Sequence, residues 1–176
     1  IMKISNIKYI ALGIIAAVLS FQACSDDEHY DVVGNPNNLV YFKSMGDATA
    51  TCTVTHTPVG EFGEVNAKFS VAIQRAASRD TKVTAVVDNS LINTYNTQHN
   101  TEYKAVPDGV VDAQKLSVTI AKDTVGSKEQ IEVSIPSTAF AQLTEQAYLL
   151  PVRLSSVEGD GTASGQRGTA YVIINT

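Results

Sequence analysis

The chain contains 176 residues, and its 18 Asp and Glu outnumber 13 Lys and Arg, which gives a formal net charge of −5 at pH 7. An acidic surface repels phosphate groups, which argues against nucleic acid and anionic lipid headgroups as partners. Two cysteines, Cys24 and Cys52, are too few for a disulfide framework or a cysteine metal cluster.

The first 23 residues have the composition of a bacterial export signal. Two lysines precede an apolar run over residues 9–21, and the small residue Ala23 comes directly before Cys24. Up to Ala23 this stretch is shorter than the roughly 20 residues that a stable transmembrane helix needs, so a permanent membrane span is the weaker interpretation. The order therefore predicts a lipoprotein signal peptide over residues 1–23 and a lipidated cysteine at Cys24.

The segments on either side of Cys24 are Phe21-Gln22-Ala23 and Ser25-Asp26-Asp27-Glu28. They resemble the relaxed lipobox and the acidic surface-export signal of Bacteroidetes lipoproteins. The resemblance implies a mature chain that starts at Cys24 and is anchored in outer-membrane lipid, facing the cell exterior. Each buried CH₂ group contributes about 0.8 kcal/mol, so two or three acyl chains would hold the protein firmly.

Residues 24–37 are polar and include Gly34 and Pro36, which predicts a flexible tether. From residue 38 onward, apolar and polar residues alternate with the period of two that is typical of β-strands. The strand candidates are residues 38–43, 50–57, 64–74, 82–87, 116–120, 131–135, 148–154 and 169–174. They predict an all-β domain over residues 38–176, an immunoglobulin-like antiparallel β-sandwich of about seven or eight strands.

The connections between the strand candidates differ in length. Residues 122–128 form a predicted polar turn, and residues 91–95 and 138–143 are each predicted as a single helical turn. The connection over residues 88–113 is long for a compact domain. Because long ordered loops on a rigid scaffold often carry function, we expect a binding site there.

Residues that could support catalysis or metal binding are few and scattered. His29, His56 and His99 lack the spacing of a zinc site, and Cys52 has no activating base nearby. A phosphate-binding loop and a Gly-x-Ser-x-Gly elbow are both absent from the sequence. Calcium could bind at residues 108–112 or 158–161, but Asp-Gly pairs far more often form turns. We therefore predict a non-enzyme that needs no cofactor and no metal.

Phe62, Tyr95 and Tyr103 are the aromatic residues least committed to the predicted strands. Phe62 lies in a turn over residues 58–63, and the two tyrosines lie in the long connection. Aromatic rings can stack on the C–H faces of sugars, so these three residues are the predicted ligand-binding residues. The alternative is that each ring packs against the core, and the absence of Trp favours this alternative.

An ordered set of segments runs through most of residues 38–176. It comprises Val40-Tyr41-Phe42 and residues 69–76, 80–83, 91–96, 103–109, 118–120, 148–154 and 171–174. The set resembles the domain of unknown function 1735 of Bacteroidetes surface lipoproteins, which is commonly found N-terminal in endo-β-N-acetylglucosaminidase-like and glycan-binding lipoproteins. The resemblance implies an immunoglobulin-like sandwich near the membrane that serves glycan capture or breakdown. It implies no catalytic residues, because the family-18 signature Asp-x-x-Asp-x-Asp-x-Glu is absent from this sequence.

Two functions are compatible with these features. The first is a non-enzymatic cell-surface lipoprotein module that contributes to glycan binding or polysaccharide utilisation, with an oligosaccharide or glycan-uptake proteins as partners. The alternative is a structural spacer or an adhesin-like protein-interaction module on the outer membrane.

Overall fold

The computed structural model of the protein describes residues 38–44 and 48–176. The predicted signal peptide, Cys24 and the predicted tether therefore lie outside the described residues. Strands dominate the described ranges, which confirms the all-β prediction. No helix within these ranges is both long and apolar enough to cross a membrane.

The described residues form strands, one α-helix and two 3₁₀ helices. The strands are β1 (Leu39–Phe42), β2 (Ala48–Thr57), β3 (Gly60–Ile73), β4 (Thr81–Val87), β5 (Lys104–Ala105), β6 (Asp112–Lys115), β7 (Ser117–Ile120), β8 (Gly126–Ile135), β9 (Ala147–Glu158), β10 (Thr162–Ala163) and β11 (Thr169–Asn175). Helix α1 spans Ile92–His99, and the 3₁₀ helices span Asn89–Leu91 and Ser137–Gln142.

The strands form two sheets that share one strand. Sheet 1 has the order β10-β1-β3-β8-β6, and sheet 2 has the order β2-β11-β9-β4-β7 with β5 beside the start of β9. Strand β3 connects them, because its residues 60–64 pair with β2 while its residues 65–72 pair with β8. Most pairs are antiparallel, but β1–β10, β2–β11 and β5–β9 are parallel.

One core lies between the inward faces of the two sheets. On β11 the inward residues Ala170, Val172 and Ile174 are 0% exposed. The alternate residues of β1 and β3 are buried in the same core, namely Val40, Phe42, Phe69, Val71 and Ile73. Each fully buried aliphatic or aromatic side chain contributes roughly 1.5–3 kcal/mol relative to the same side chain in water.

All eight strand candidates are present, and three short strands (β5, β6 and β10) join them. The predicted polar turn is shorter than expected, because β8 begins at Gly126, opposite Ala72 of β3. Just before it, the carbonyl of Val125 accepts a hydrogen bond of 3.0 Å from the N–H of Ile73. Pairing depends on main-chain groups, so the polar side chains after Gly126 do not prevent a strand. The first predicted helical turn is the two-turn helix α1, and the second is the 3₁₀ helix Ser137–Gln142.

Candidate functional site

Helix α1 covers part of the outer face of sheet 2. Its residues Ile92 and Tyr95 are 6% and 8% exposed, and three positions in a helix place them on one face. The outer cluster, as we call it, comprises Ile92, Tyr95, Tyr103, Leu149, Tyr171 and Ile173. Because Tyr171 and Ile173 point outward from β11 while their neighbours point inward, this strand is covered on both faces.

The helical segment begins at Asp88, which fastens it to β9. The N–H of Asp88 donates to the carbonyl of Pro151 at 3.0 Å. Its carboxylate accepts from the N–H of Ser90 at 3.2 Å and from Arg153 Nε at 2.8 Å. Hydrogen bonds from Ser90 and Arg153 lower the pKa of the Asp88 carboxyl, so the group is ionised at neutral pH. The start of the segment is therefore fixed by both main-chain and charged contacts.

The end of α1 turns back along the helix. Asn100 adopts the left-handed conformation (φ 53°, ψ 51°), which ends the helix. The side-chain oxygen of Asn96 accepts from the N–H of Tyr103 at 3.0 Å and from the Thr101 hydroxyl at 2.9 Å, and its amide nitrogen donates to the carbonyl of Tyr103 at 2.9 Å. These contacts bring the Tyr103 ring to 6.1 Å from the Tyr95 ring.

A cleft of about 340 Å³ lies between α1 and the turn that joins β10 to β11. The side chains and glycine that line this α1 cleft are Phe42, Ser44, Ala48, Leu91, Thr94, Tyr95, Gln98, His99, Gly165, Gln166, Arg167, Thr169 and Tyr171. The Tyr95 and Tyr171 rings lie 4.6 Å apart, and the His99 ring stacks on Tyr95 at 4.1 Å. Amide, hydroxyl and guanidinium groups surround these rings, so the cleft combines aromatic surface with hydrogen-bonding groups.

Arg167 is held at the side of the cleft that faces α1. Its Nη2 donates to the carbonyl of Ser44 at 2.8 Å, and its guanidinium lies 4.5 Å from the centre of the Tyr41 ring. Its main chain is fixed as well, because its N–H donates to the Ser164 hydroxyl and its carbonyl accepts from the N–H of Phe42. A long side chain held in this way loses less conformational entropy when it binds a ligand.

The structure separates the three predicted ligand-binding residues. Tyr95 lines the α1 cleft, and Tyr103 packs in the outer cluster while lining a separate depression of about 330 Å³. Phe62 is 55% exposed on the β2–β3 hairpin, opposite Thr55, and is not among the residues that line the α1 cleft. A ligand-binding role for the three residues stays a prediction, as does lipidation of Cys24, which lies outside the described residues.

Sequence reasoning missed the polar residues of the cleft. Gln98 and His99 lie near the end of the long connection's helix, but Gln166 and Arg167 lie some distance along the chain in the turn before β11. The length of the connection over residues 88–113 and the predicted binding residue Tyr95 within it were the features that pointed to this region. The contact between the two segments depends on which strands pair, and a local pattern does not contain that information.

The segment over residues 158–161 works as a turn. The Asp160 carboxylate accepts from the N–H of Ser78 at 2.8 Å, and its own N–H donates to the Thr81 hydroxyl at 2.8 Å. The hydrogen bond from the main chain of Ser78 lowers the pKa of the Asp160 carboxyl. In the part of the chain that the structure describes, no three His, Cys, Asp or Glu side chains are grouped closely enough to hold a metal ion.

A family model with the description "-like, N-terminal domain" matches residues 35–161, which is most of the chain. This chain belongs to that family. The same fold occurs in a multidomain protein from Bacteroides ovatus that includes the domain of unknown function 1735, with a TM-score of 0.52 and 16% identity over 77% of this chain and 44% of that one. Together these matches confirm the resemblance found in the sequence.

Two further solved structures share the fold. A candidate carbohydrate-binding protein from Bacteroides ovatus has a TM-score of 0.62 and 19% identity, over 80% of this chain and 37% of that one. EndoBT-3987 from Bacteroides thetaiotaomicron, solved with a Man5GlcNAc product, has a TM-score of 0.54 and 18% identity, over 77% of this chain and 30% of that one. This chain thus spans less than half the length of these structures. No curated protein sequence matches it.

Proposed function

We propose that this chain is a non-catalytic glycan-binding module, displayed on the cell surface as a lipoprotein, which holds its ligand in the α1 cleft. The observation that carries this proposal is the combination of the Tyr95 and Tyr171 rings with the polar groups of Gln98, His99 and Arg167 around one cleft. Sugars have apolar C–H faces that pack on rings and hydroxyl groups that need hydrogen-bond partners. The cleft volume of about 340 Å³ is in the range of small-ligand sites, roughly 300–1,000 Å³.

The lining of the cleft supports a binding role rather than glycoside hydrolysis. Most glycosidases need two carboxyl groups that flank the scissile bond. Among the described residues that line the α1 cleft, none is Asp or Glu. From these described residues a sugar bound there would meet hydrogen-bond donors and rings but no pair of carboxyl groups.

Two proteins that share the fold also support a function connected with glycans. One is the candidate carbohydrate-binding protein from Bacteroides ovatus, and another is EndoBT-3987, which was solved with an oligosaccharide product. This chain spans only 37% and 30% of their lengths, so we take from them an association with glycans and no substrate or activity.

The first test concerns glycan binding by the cleft. In affinity electrophoresis through gels that contain mammalian or plant polysaccharides, we expect the wild-type mature protein to be retarded by at least one glycan. Changing Gln98→Ala and His99→Ala together should weaken retardation about thirtyfold, since each of the two lost hydrogen bonds costs about 1 kcal/mol. The control is Asn93→Ala, because Asn93 is exposed on the same helix and does not line the cleft.

Each outcome of these gels decides between the functions. Retardation that the double variant retains in full would place the glycan elsewhere on the domain. A folded wild-type protein that no polysaccharide retards would remove the glycan-binding function. That result would favour the alternative of a spacer or protein-interaction module.

The second test concerns the lipid anchor. When the full chain is expressed in a Bacteroides host fed with labelled palmitate, we expect label in the protein and none in a Cys24→Ala variant, because acylation requires that thiol. Cys52→Ala is the matched control and should keep the label, since Cys52 lies half-buried in β2. Label in Cys24→Ala, or no label in the wild-type protein, would remove the anchor from the proposal.

A further inference from the structure

The α1 cleft differs in charge from the chain as a whole. Acidic residues outnumber basic residues 18 to 13 in the sequence. Among the described residues that line the cleft, Arg167 is positively charged and none is acidic. Of the described residues, the charged side chain that a ligand would meet in the cleft is therefore a cation.

The guanidinium of Arg167 has more N–H groups than its contacts within the protein use. One of its N–H groups is used by the carbonyl of Ser44 at 2.8 Å, and a guanidinium carries five. The four ion pairs within the described residues involve other side chains, so none of the carboxylates that the structure describes forms an ion pair with Arg167. Its side chain is exposed, so a ligand in the cleft can reach it.

The contacts of Arg167 could by themselves fulfil a structural role, because they join the turn before β11 to Tyr41 and Ser44. That role needs only one N–H group and one face of the guanidinium. The planar fork of an arginine matches two oxygens of an anion, and such charge-assisted pairs are shorter and stronger than neutral hydrogen bonds. Tyr41 and Ser44 hold the guanidinium in place beside the cleft before any ligand arrives.

We propose that the glycan bound in the α1 cleft is acidic, and that Arg167 binds its anionic group. The group is a carboxylate, as in a uronic or sialic acid, or a sulfate ester, since both present paired oxygens to a guanidinium. The half-buried Tyr171 ring and the exposed His99 ring, which stacks on Tyr95, contact the apolar face of the same sugar. Gln98 and Gln166 contact its hydroxyl groups. This inference rests on the proposed glycan-binding function of the cleft and adds the class of ligand.

The test uses an array of immobilised oligosaccharides in matched sets, in which each neutral member has uronate-, sialate- and sulfate-bearing counterparts. We expect the wild-type mature domain to bind acidic members at least tenfold more strongly than their neutral counterparts. Whether the protein binds the uronate- and sialate-bearing members or the sulfate-bearing members shows whether the anionic group is a carboxylate or a sulfate ester. Raised salt should weaken this binding, because exposed ionic contacts are screened.

Variants at residue 167 show whether Arg167 causes the preference for acidic oligosaccharides. Arg167→Gln should weaken binding to acidic members about tenfold or more, while Arg167→Lys, which keeps the charge but not the fork, should lie between it and the wild type. Arg75→Gln is the matched control, since Arg75 is exposed, bonds to Asn38 through its main chain and does not line the cleft. Thermal unfolding of each variant verifies that it is folded.

Three results would overturn the inference. Equal binding to neutral and acidic members would contradict an acidic ligand while keeping the glycan-binding function. Full binding of acidic members by folded Arg167→Gln would contradict the role of Arg167. Binding to no member of the array would remove the inference together with the proposed function.

Discussion

Replacing Tyr95 with alanine is expected to detach α1 from sheet 2 and to abolish binding in the α1 cleft. The Tyr95 ring is 8% exposed, lies 4.6 Å from the Tyr171 ring and packs in the same cluster as Leu149. Truncating a buried aromatic side chain to alanine costs about 3–5 kcal/mol. Because the outer cluster is separate from the core between the sheets, we expect this loss as local opening of the helix rather than unfolding of the whole domain.

Hydrogen exchange is the measurement that resolves a local effect of this kind. Amide protection of residues 92–99 should fall about a hundredfold or more in Tyr95→Ala, which corresponds to a loss of about 3 kcal/mol. Amides of β3 and β8, which line the core, should keep their protection. Tyr103→Ala is the graded control, because Tyr103 is only partly buried in the cluster and should cost about 1 kcal/mol. Unchanged protection of α1 in Tyr95→Ala would show that other contacts hold the helix.

The strands of the core could be predicted because one face of each sheet is buried. In β8, Ile131, Val133 and Ile135 are buried while Glu132 and Ser134 between them are not. This alternation of period two is dictated by the pleat of the strand and is visible in the sequence. The strand pattern was therefore sufficient for the fold class, although it does not contain the pairing partners.

The sequence did contain an indication that the outer face of sheet 2 is covered by another element. Residues 170–174 are apolar throughout, and a strand that is covered on both faces has this near-continuous apolar run. Tyr171 and Ile173 pack against α1, while Val172 faces the core. Taken as a simple alternating strand, the segment gave no reason to expect a helix against its outer side.

The sequence contains no pattern from which the short strands or the parallel pairings could be predicted. Strand β10 contains two residues, Thr162 and Ala163, and pairs with β1, more than a hundred residues earlier in the chain. Two residues cannot display a period, and parallel pairing depends on the path of the chain between the strands. The turn after β10 carries Arg167, so the charge of the α1 cleft could not be predicted until this pairing was known.

Replacing Gly161 with alanine is expected to lower the free energy of unfolding by about 2–5 kcal/mol. Gly161 has a φ of +87°, which strains any residue with a Cβ. A Cβ at this position would also overlap the main-chain oxygen of Asn38 and approach Ile73 Cδ1 to 3.3 Å. That oxygen accepts the hydrogen bond of 2.9 Å from Thr162 that pairs β10 with β1.

The Gly161→Ala substitution should also disturb residues beyond β10, because Asn38 forms hydrogen bonds with two separate segments of the chain. Its side-chain oxygen accepts from the N–H of Arg75 at 2.7 Å, and its amide nitrogen donates to the Arg75 carbonyl at 2.9 Å. Moving Asn38 to make room for a methyl group would therefore disturb the end of β3 as well as β10. Both elements would have to shift together, which a well-packed interior resists.

Two other glycines separate the causes of this loss in urea unfolding. Gly109 has a φ of +79° and no atom within 4 Å of an added Cβ, so Gly109→Ala should show the backbone strain alone, about 1 kcal/mol. Gly165 has neither a positive φ nor a close neighbour, so Gly165→Ala should change stability little. A cost at Gly161 no larger than that at Gly109 would mean that β1 can move away from β10 freely. In that case the close contact between Gly161 and Asn38 would not hold the two strands together.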